Sequence, residues 1–351
     1  MPLRFDKASA LLIPAEDYLV RFRQRGRALP LPHLNLTFYA LKDCLCLCSS
    51  SQALLPLHGE GDLPFILTES CHYPAGDAHL AALAGDALAG LEPDGIAEVE
   101  EAAPFYLPGS ANFWHWTMES LPKLLAMESI GYTGSYIVPT HNPVVRESLA
   151  MFSLAPERML PAQGAYRVRR LMLPPRLSGF NLPLYLPLVE LTRERLLAVA
   201  GTLPGGKCCF VRRIGRRRPV NETEVLALLK EFDFEVMTPE DMPQARQWRY
   251  MTNVECSVMP HGANGALTLL QKPESGFVEF FSNRYVSYNH LHAVRLLRLK
   301  YWPMTQDLDA SCATPGMGLT EFLSGGLSTD MEVDLLHLRI ALESLLAEKR
   351  H

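Results

Sequence analysis

The sequence lacks the two hydrophobic signatures of membrane and exported proteins. It contains no stretch of about 18 uncharged apolar residues, so none of it reads as a bilayer-spanning helix. Its first residues, MPLRFDKASALLIPAEDYLVRFRQ, break every short apolar run with Arg4, Asp6, Lys7, Glu16 or Asp17, which leaves no apolar core for a signal peptide. A cytoplasmic location is the expectation. The eight cysteines include no Cys-x-x-Cys pair, which removes the usual zinc and thiol-exchange spacings. Cys44, Cys46 and Cys48 alternate with leucine and so share one face of a strand, where reduced thiols act as small core residues. Internal repeats and low-complexity tracts are missing as well.

What is present is an ordinary globular mixture. The 351 residues predict two domains and enough chain to bury real cores, which excludes a small disulfide-stapled scaffold. Apolar residues make up 48% and charged residues 20%, and 33 Lys and Arg against 38 Asp and Glu leave a net charge of −5. That balance excludes disorder and wholesale coating of nucleic acid. The charge is unevenly spread, however: Lys207, Arg212, Arg213, Arg216, Arg217 and Arg218 crowd into one short stretch.

The first hundred residues read as short strands and loops interrupted by prolines, with one helix from Ala78 to Leu91. Helical apolar spacing follows in NFWHWTMESLPKLLAM, with Asn112 placed as its N-cap. Gly201, Pro204, Gly205 and Gly206 form the clearest breaker cluster, so the expected domains are 1–200 and 201–330, followed by an amphipathic C-terminal helix in 331–351 that packs back and is capped by Thr329 and Glu332. Beyond the breaker the pattern is regular: strand CCFVRR, helix NETEVLALLKEF with Asn221 and Glu224 at capping spacing, strand FEVMT, a helix from Gln244 to Met251, strand CSVMP, a helix from Ala263, and strand GFVEFF. Strand and helix in alternation mean βαβ units and a doubly wound parallel sheet, whose ligands bind at the carboxyl ends of the strands.

Four groups of residues carry chemistry. Arg212 and Arg213 end the first strand of the second domain and Arg216 to Arg218 lie just beyond, where bidentate guanidinium groups suit a diphosphate; the alternative is a solvated charge run. A nucleic-acid surface fits poorly, because no aromatics interleave the basic residues. In Pro260-His261-Gly262-Ala263-Asn264-Gly265, between a strand and a helix, Gly262 allows close backbone approach, the amides of Ala263 and Asn264 open a helix that favours an anion, and His261 is placed to donate to a phosphate oxygen. This turn is neither a Walker A loop nor a G-x-G-x-x-G fingerprint. Glu240 and Glu279 occupy positions where nucleotide domains keep a carboxylate for ribose, although Glu240 also fits an ordinary helix start. Asn112, His115 and Glu119 share one helix face, and His115 with Glu119 at i, i+4 makes an oriented base; a satisfied core histidine is the competing reading. No further ligand stands near them for a metal. Asp307-Leu308-Asp309 mimics the D-x-D of metal-dependent sugar transferases but reads as a surface turn.

Taken in order, NFWHWTMESLPKLL, VRRIGRRRPVNETEV with FEVMTPEDM, and PHGANGALTLL with FVEFF resemble the motifs of glycosyltransferase family 61 over Asn112 to Lys300. The resemblance implies an α/β fold of GT-B type, two Rossmann-like domains facing across a cleft, and inverting transfer from a nucleotide sugar, generally a UDP-sugar such as UDP-xylose or UDP-N-acetylglucosamine. It places Arg212, Arg218, Asn221, Glu240, His261, Gly262 and Glu279 on the donor side and Asn112, His115 and Glu119 on the facing domain. Pro260 and Leu267 depart from the family pattern. The absence of an anchor makes a bacterial enzyme of capsule or lipopolysaccharide assembly the closer analogy, acting on a glycan or glycolipid acceptor, in the cytoplasm or peripheral at the inner membrane face. Charge neutralisation by arginine makes a metal cofactor unnecessary. Two other classes stay open: a nucleotide-sugar epimerase or hydrolase on the same plan, and a non-catalytic nucleotide-sugar-binding subunit of an assembly complex.

Overall fold

A computed structural model of the chain describes residues 10–13, 38–48, 54–56, 96–105, 112–174, 186–204, 206–283, 286–287, 289–306 and 329–347. The helix expected from Ala78 to Leu91 and the Asp307-Leu308-Asp309 turn lie outside these residues. The chain divides into two compact units, 1–192 and 193–351. No helix among the described residues is long and apolar enough to cross a membrane.

In the first unit, strands β1 (Ala10–Ile13), β2 (Phe38–Leu47), β3 (Leu54–Pro56), β4 (Ile96–Pro104), β5 (Ser135–Val138), β6 (Met159–Pro161) and β7 (Ala165–Leu173) form one sheet of order β1-β2-β7-β4-β5-β6, with β3 beside β2. β7, β4, β5 and β6 are parallel, whereas β2 runs antiparallel to β1, β3 and β7. The sheet is therefore mixed: too few residues separate β2 from β3 for a parallel crossover, while helices α1 (113–129) and α2 (Pro143–Met151) supply the crossovers of β4, β5 and β6. Its core gathers Cys46, Cys48, Ala102, Ile137, Tyr166, Val168 and Leu171, so these two cysteines are core residues as their spacing implied.

Helix α3 (Leu186–Ala200) ends at Gly201, whose φ of +69° and bond from its N–H to the Leu197 carbonyl make it the left-handed stop that glycine permits. The second unit then builds β8 (Lys207–Val211), α4 (Glu222–Glu231), β9 (Phe234–Met237), α5 (Gln244–Met251), β10 (Val254–Pro260), a 3-10 helix (Ala263–Leu270), β11 (Gly276–Phe280), α6 (Leu291–Leu297), β12 (Lys300–Met304) and α7 (Leu335–Leu346). All five strands are parallel, in the order β12-β11-β10-β8-β9. Winding runs from β8 outward to β9, then back past β8 to β10, β11 and β12, so the direction reverses between β8 and β10. That is the topological switch point of a doubly wound sheet, where neighbouring loops leave on opposite faces and open a crevice.

Helix α7 packs into this core through Leu338, Ala341, Leu342 and Leu345, against Val225 and Leu228 of α4 and strand residues such as Val278 and Met304. Its cap differs from the expected Thr329 and Glu332. Asp334 caps it by accepting from the His337 N–H, and the preceding residues instead join the fold, with Met331 and Val333 buried and Met331 bridged to Pro219.

Candidate functional site

The switch point is bounded by the two loops that carry the sequence signals. β8 delivers Arg212 and Arg213, and β10 delivers His261 and Gly262. The loops meet at Gly262: a Cβ built there would stand 1.8 Å from Nη1 of Arg213. Only glycine lets the guanidinium lie over the turn. Gly262 itself is extended, with φ 165°, so close approach and not backbone strain explains the residue.

Among the arginines the structure separates two roles that adjacency in sequence hides. Successive residues at a strand end point to opposite sides. Arg212 turns to Glu222, with Nε donating to Oε1 at 3.0 Å and Nη2 to Oε2 at 2.6 Å, in an exposed pair. Arg218 is held by Asp330, its backbone N–H donating to Oδ1 at 3.1 Å and its Nε lying 3.7 Å from Oδ2. Arg213 turns inward instead. Its Nε donates to the Arg216 carbonyl at 2.8 Å, and burial, then the charge of Arg217, lowers its pKa to about 10 against the opposing pull of Glu240, so it remains a cation at neutral pH. Arg217 has a φ of +62°, a conformation that arginine rarely adopts, and its charge acts on both Arg213 and His261. The guanidinium over the turn is thus that of Arg213, on which Arg217 acts through its charge, while Arg212 and Arg218 are engaged by carboxylates. Asn221 serves the fold instead of the donor side: its Nδ2 donates to the Val333 carbonyl at 2.8 Å and its Oδ1 accepts from the Val333 N–H at 3.0 Å, fastening the α7 entry to α4. Glu240 is exposed in the turn after β9 and touches the site through its charge on Arg213.

Behind the turn lies a closed polar box. The Glu279 carboxylate on β11 is fully buried; its Oε1 accepts from Nδ1 of His261 at 2.5 Å, Nδ1 of His290 lies 2.5 Å from the same oxygen, and Oε2 accepts from the Tyr301 hydroxyl at 2.7 Å. The His261 ring stacks between His290 and Phe281, at centroid distances of 4.5 and 5.0 Å. Gly265 makes room for His290, since a Cβ there would meet the His290 ring at 2.0 Å. Burial alone would raise the Glu279 pKa, but the two imidazoles outweigh it and hold the carboxyl below its usual range. Burial pushes His261 the other way, down to about 4, with Glu279 opposing. Burial and the neighbouring carboxylate hold Tyr301 protonated, far above the usual phenol range. The box is therefore a buried carboxylate facing two imidazoles and a phenol, which corrects the ribose-reading role expected of Glu279: it has no exposed surface, and its two oxygens are taken by His261 and Tyr301. Ligand atoms of His261, Glu279 and His290 lie within 4.8 Å of one another, a donor set of the kind that binds transition metals. Both ring nitrogens converge on one carboxylate oxygen, each 2.5 Å from it.

The first unit holds the second histidine–carboxylate pair. Asn112 caps α1, its Oδ1 accepting from the Trp114 N–H at 2.9 Å. The first turn, Phe113–His115, passes into a π-helical turn, Trp116–Ser120, before α-helix resumes at Leu121. Such turns are rare and concentrate at functional sites. At the start of this one, His115 Nδ1 lies 2.8 Å from Glu119 Oε2, with the imidazole side chain 22% exposed and the carboxylate 8%. Glu119 Oε1 has no hydrogen-bond partner among the described residues, although it is buried. Trp116 anchors the turn by donating from Nε1 to Ser148 Oγ at 2.6 Å. Lys123, one further turn along, is buried with its Nζ 5.9 Å from the Phe105 ring centroid. The pair is a hydrogen-bonded, partly exposed imidazole oriented by a carboxylate, as the i, i+4 spacing implied.

Comparison with known protein families matches residues 113–278 to Glycosyltransferase 61. Residues 113–278 belong to glycosyltransferase family 61. The family 61 region opens at the first residue of α1 and closes one residue before Glu279, so it takes in His115, Glu119, the arginine loop and the His261–Gly262 turn. His290 and Tyr301, which complete the box, lie beyond it. No curated protein matches the chain.

Proposed function

We propose that this family 61 protein transfers a sugar from a nucleoside diphosphate donor, a UDP-sugar by family resemblance, to a hydroxyl of a glycan or glycolipid, with inversion at the anomeric carbon. The observation that carries the donor half is the Arg213 guanidinium lying over Gly262 at the β8/β10 switch point. A diphosphate seated there would meet Arg213, Arg217, His261 and the first amides of the 3-10 helix at Ala263 and Asn264, which neutralise charge on the departing diphosphate. Two guanidinium groups supply the positive charge that a divalent metal gives other transferases, and activity is expected to persist in EDTA.

On the acceptor side, His115 takes the proton from the attacking hydroxyl, with Glu119 orienting the ring and stabilising its charged form. Help of this kind is typically worth about a hundred- to ten-thousandfold in rate. A GT-B arrangement of the two units would bring the pairs to one cleft, and an acceptor from lipopolysaccharide or capsule assembly would place the enzyme in the cytoplasm or at the inner membrane face. A thermal-shift and calorimetric screen of nucleotides and nucleotide sugars tests the donor reading, because a ligand of the folded state raises its stability by mass action. Stabilisation by UDP or its sugars is expected. No response to any of them would refute it.

A further inference from the structure

Helix α7 carries apolar residues on two faces. Leu338, Ala341, Leu342 and Leu345 pack into the core of the second unit, which is the face that folding requires. Leu336 and Ile340 lie on the other side, 69% and 46% exposed, one helical turn apart at i, i+4. Single exposed aliphatics are ordinary on a protein surface, but two stacked along one helix beside a groove form a strip. We propose that this strip is a self-association surface, on which two copies of the chain pair their α7 helices antiparallel about a two-fold axis.

The surroundings of the strip select the partner. A groove runs between α4 and α7, with Glu224, Ala227 and Glu231 on its α4 wall and Leu335, Leu336 and Arg339 on its α7 wall. Leu336 therefore projects from the surface and also edges a recess. A patch that holds projection and recess together can fit a second copy of itself. The walls differ in charge as well, with carboxylates on α4 and a guanidinium on α7. Arg339 donates from Nη2 to Glu231 of its own chain at 2.7 Å in an exposed pair, whereas Glu224 has no ion pair among the described residues.

Antiparallel pairing sets Leu336 of each chain against Ile340 of the partner subunit, because the axis passes midway between these positions. It also carries each Arg339 toward the acidic α4 wall of the other copy. Such a contact uses the same patch on both chains and closes at two. A lipid surface fits poorly: Glu224, Glu231 and the exposed Glu343 border the strip against one arginine, a balance that anionic headgroups repel. A contact centred on one 12-residue helix stands at the small end of specific interfaces, so the pairing is concentration-dependent and governed by the two aliphatics at its centre.

Sedimentation velocity of the full chain, from low to high micromolar concentration, tests this. The wild type is expected to pass from one chain to two as concentration rises, and to go no further. Leu336→Glu and Ile340→Glu leave the core face of α7 intact and should each weaken association by about tenfold or more, with circular dichroism and thermal unfolding as in the wild type. The double variant L336K/I340E sets opposite charges against each other across the axis and should pair more tightly than Leu336→Lys or Ile340→Glu alone. A wild type that stays a single chain at every concentration, or that assembles beyond two, overturns the inference, as does undiminished association of the single variants. Loss in the single variants without recovery in the double overturns the antiparallel pairing.

Discussion

Two histidine–carboxylate pairs, one in each unit, place the same functional groups in opposite settings. His115 and Glu119 are neighbours on one helix, joined by a local bond of 2.8 Å where a buried π-helical turn begins, with the imidazole itself partly exposed. His261 and Glu279 come from different strand ends, meet only because β10 and β11 pair in parallel, and are buried with a second imidazole and a phenol. The local pair needs no fold beyond its helix, so its environment can be spent on reactivity. The long-range pair is part of the fold, and its chemistry is subordinate to keeping a buried charge satisfied. Orienting an imidazole is thus the shared geometry, while desolvation decides what the imidazole does.

Substitution should break that comparison cleanly. Glu279→Ala strips two imidazoles and a phenol of their buried acceptor and should cost about 3–5 kcal/mol of stability in denaturant unfolding. Glu119→Ala, by contrast, removes a single local bond from a buried carboxylate whose partner ring is partly exposed, and should cost about 1–3 kcal/mol. His115→Ala should lower turnover at saturating substrates by about a hundred- to ten-thousandfold with stability nearly unchanged; intact turnover would move the base to Glu119.

A gentler test uses pH. His261 has a folded pKa of about 4 against an ordinary 6.5, so between those values the unfolded chain binds the extra proton and stability rises with pH. Acidification through that window should therefore weaken the protein by up to about 1.4 kcal/mol per pH unit from this ring, before Glu279, whose pKa is also depressed, adds its loss at still lower pH. His261→Asn should flatten the part between 6.5 and 4, measured by unfolding at several pH values. Smallest of all, Arg212→Ala should change stability by less than about 1 kcal/mol and leave nucleotide binding within about threefold, because its guanidinium serves Glu222 on the surface. Arg213→Ala should abolish that binding.

Much of the second unit was legible because its signals are local. Buried-strand runs bounded by Gly and Pro placed β8, β9, β10 and β11, and α5 spans Gln244–Met251 as its periodicity indicated. Asn112 caps α1 and His115 meets Glu119, both consequences of spacing within one helix. What escaped was long-range. Nothing in the order of residues says that His290 and Tyr301 converge on Glu279, because that follows from which strands are neighbours. Nor does adjacency tell Arg212 from Arg213, since the strand pleat sends one to Glu222 and the other over Gly262. The first sheet was hidden for a related reason: its parallel and antiparallel strands are interleaved in space, β7 lying between β2 and β4.

The claim on which the account turns is that Arg213 over Gly262 forms the diphosphate site, and Gly262→Ala tests it most directly. An added Cβ would occupy the place of the guanidinium, which lies at the far end of a flexible side chain, so the fold should survive while the site closes. Calorimetry with UDP is expected to show binding by the wild type and at least a hundredfold loss in a folded Gly262→Ala variant. Equal binding by the two proteins would contradict the assignment.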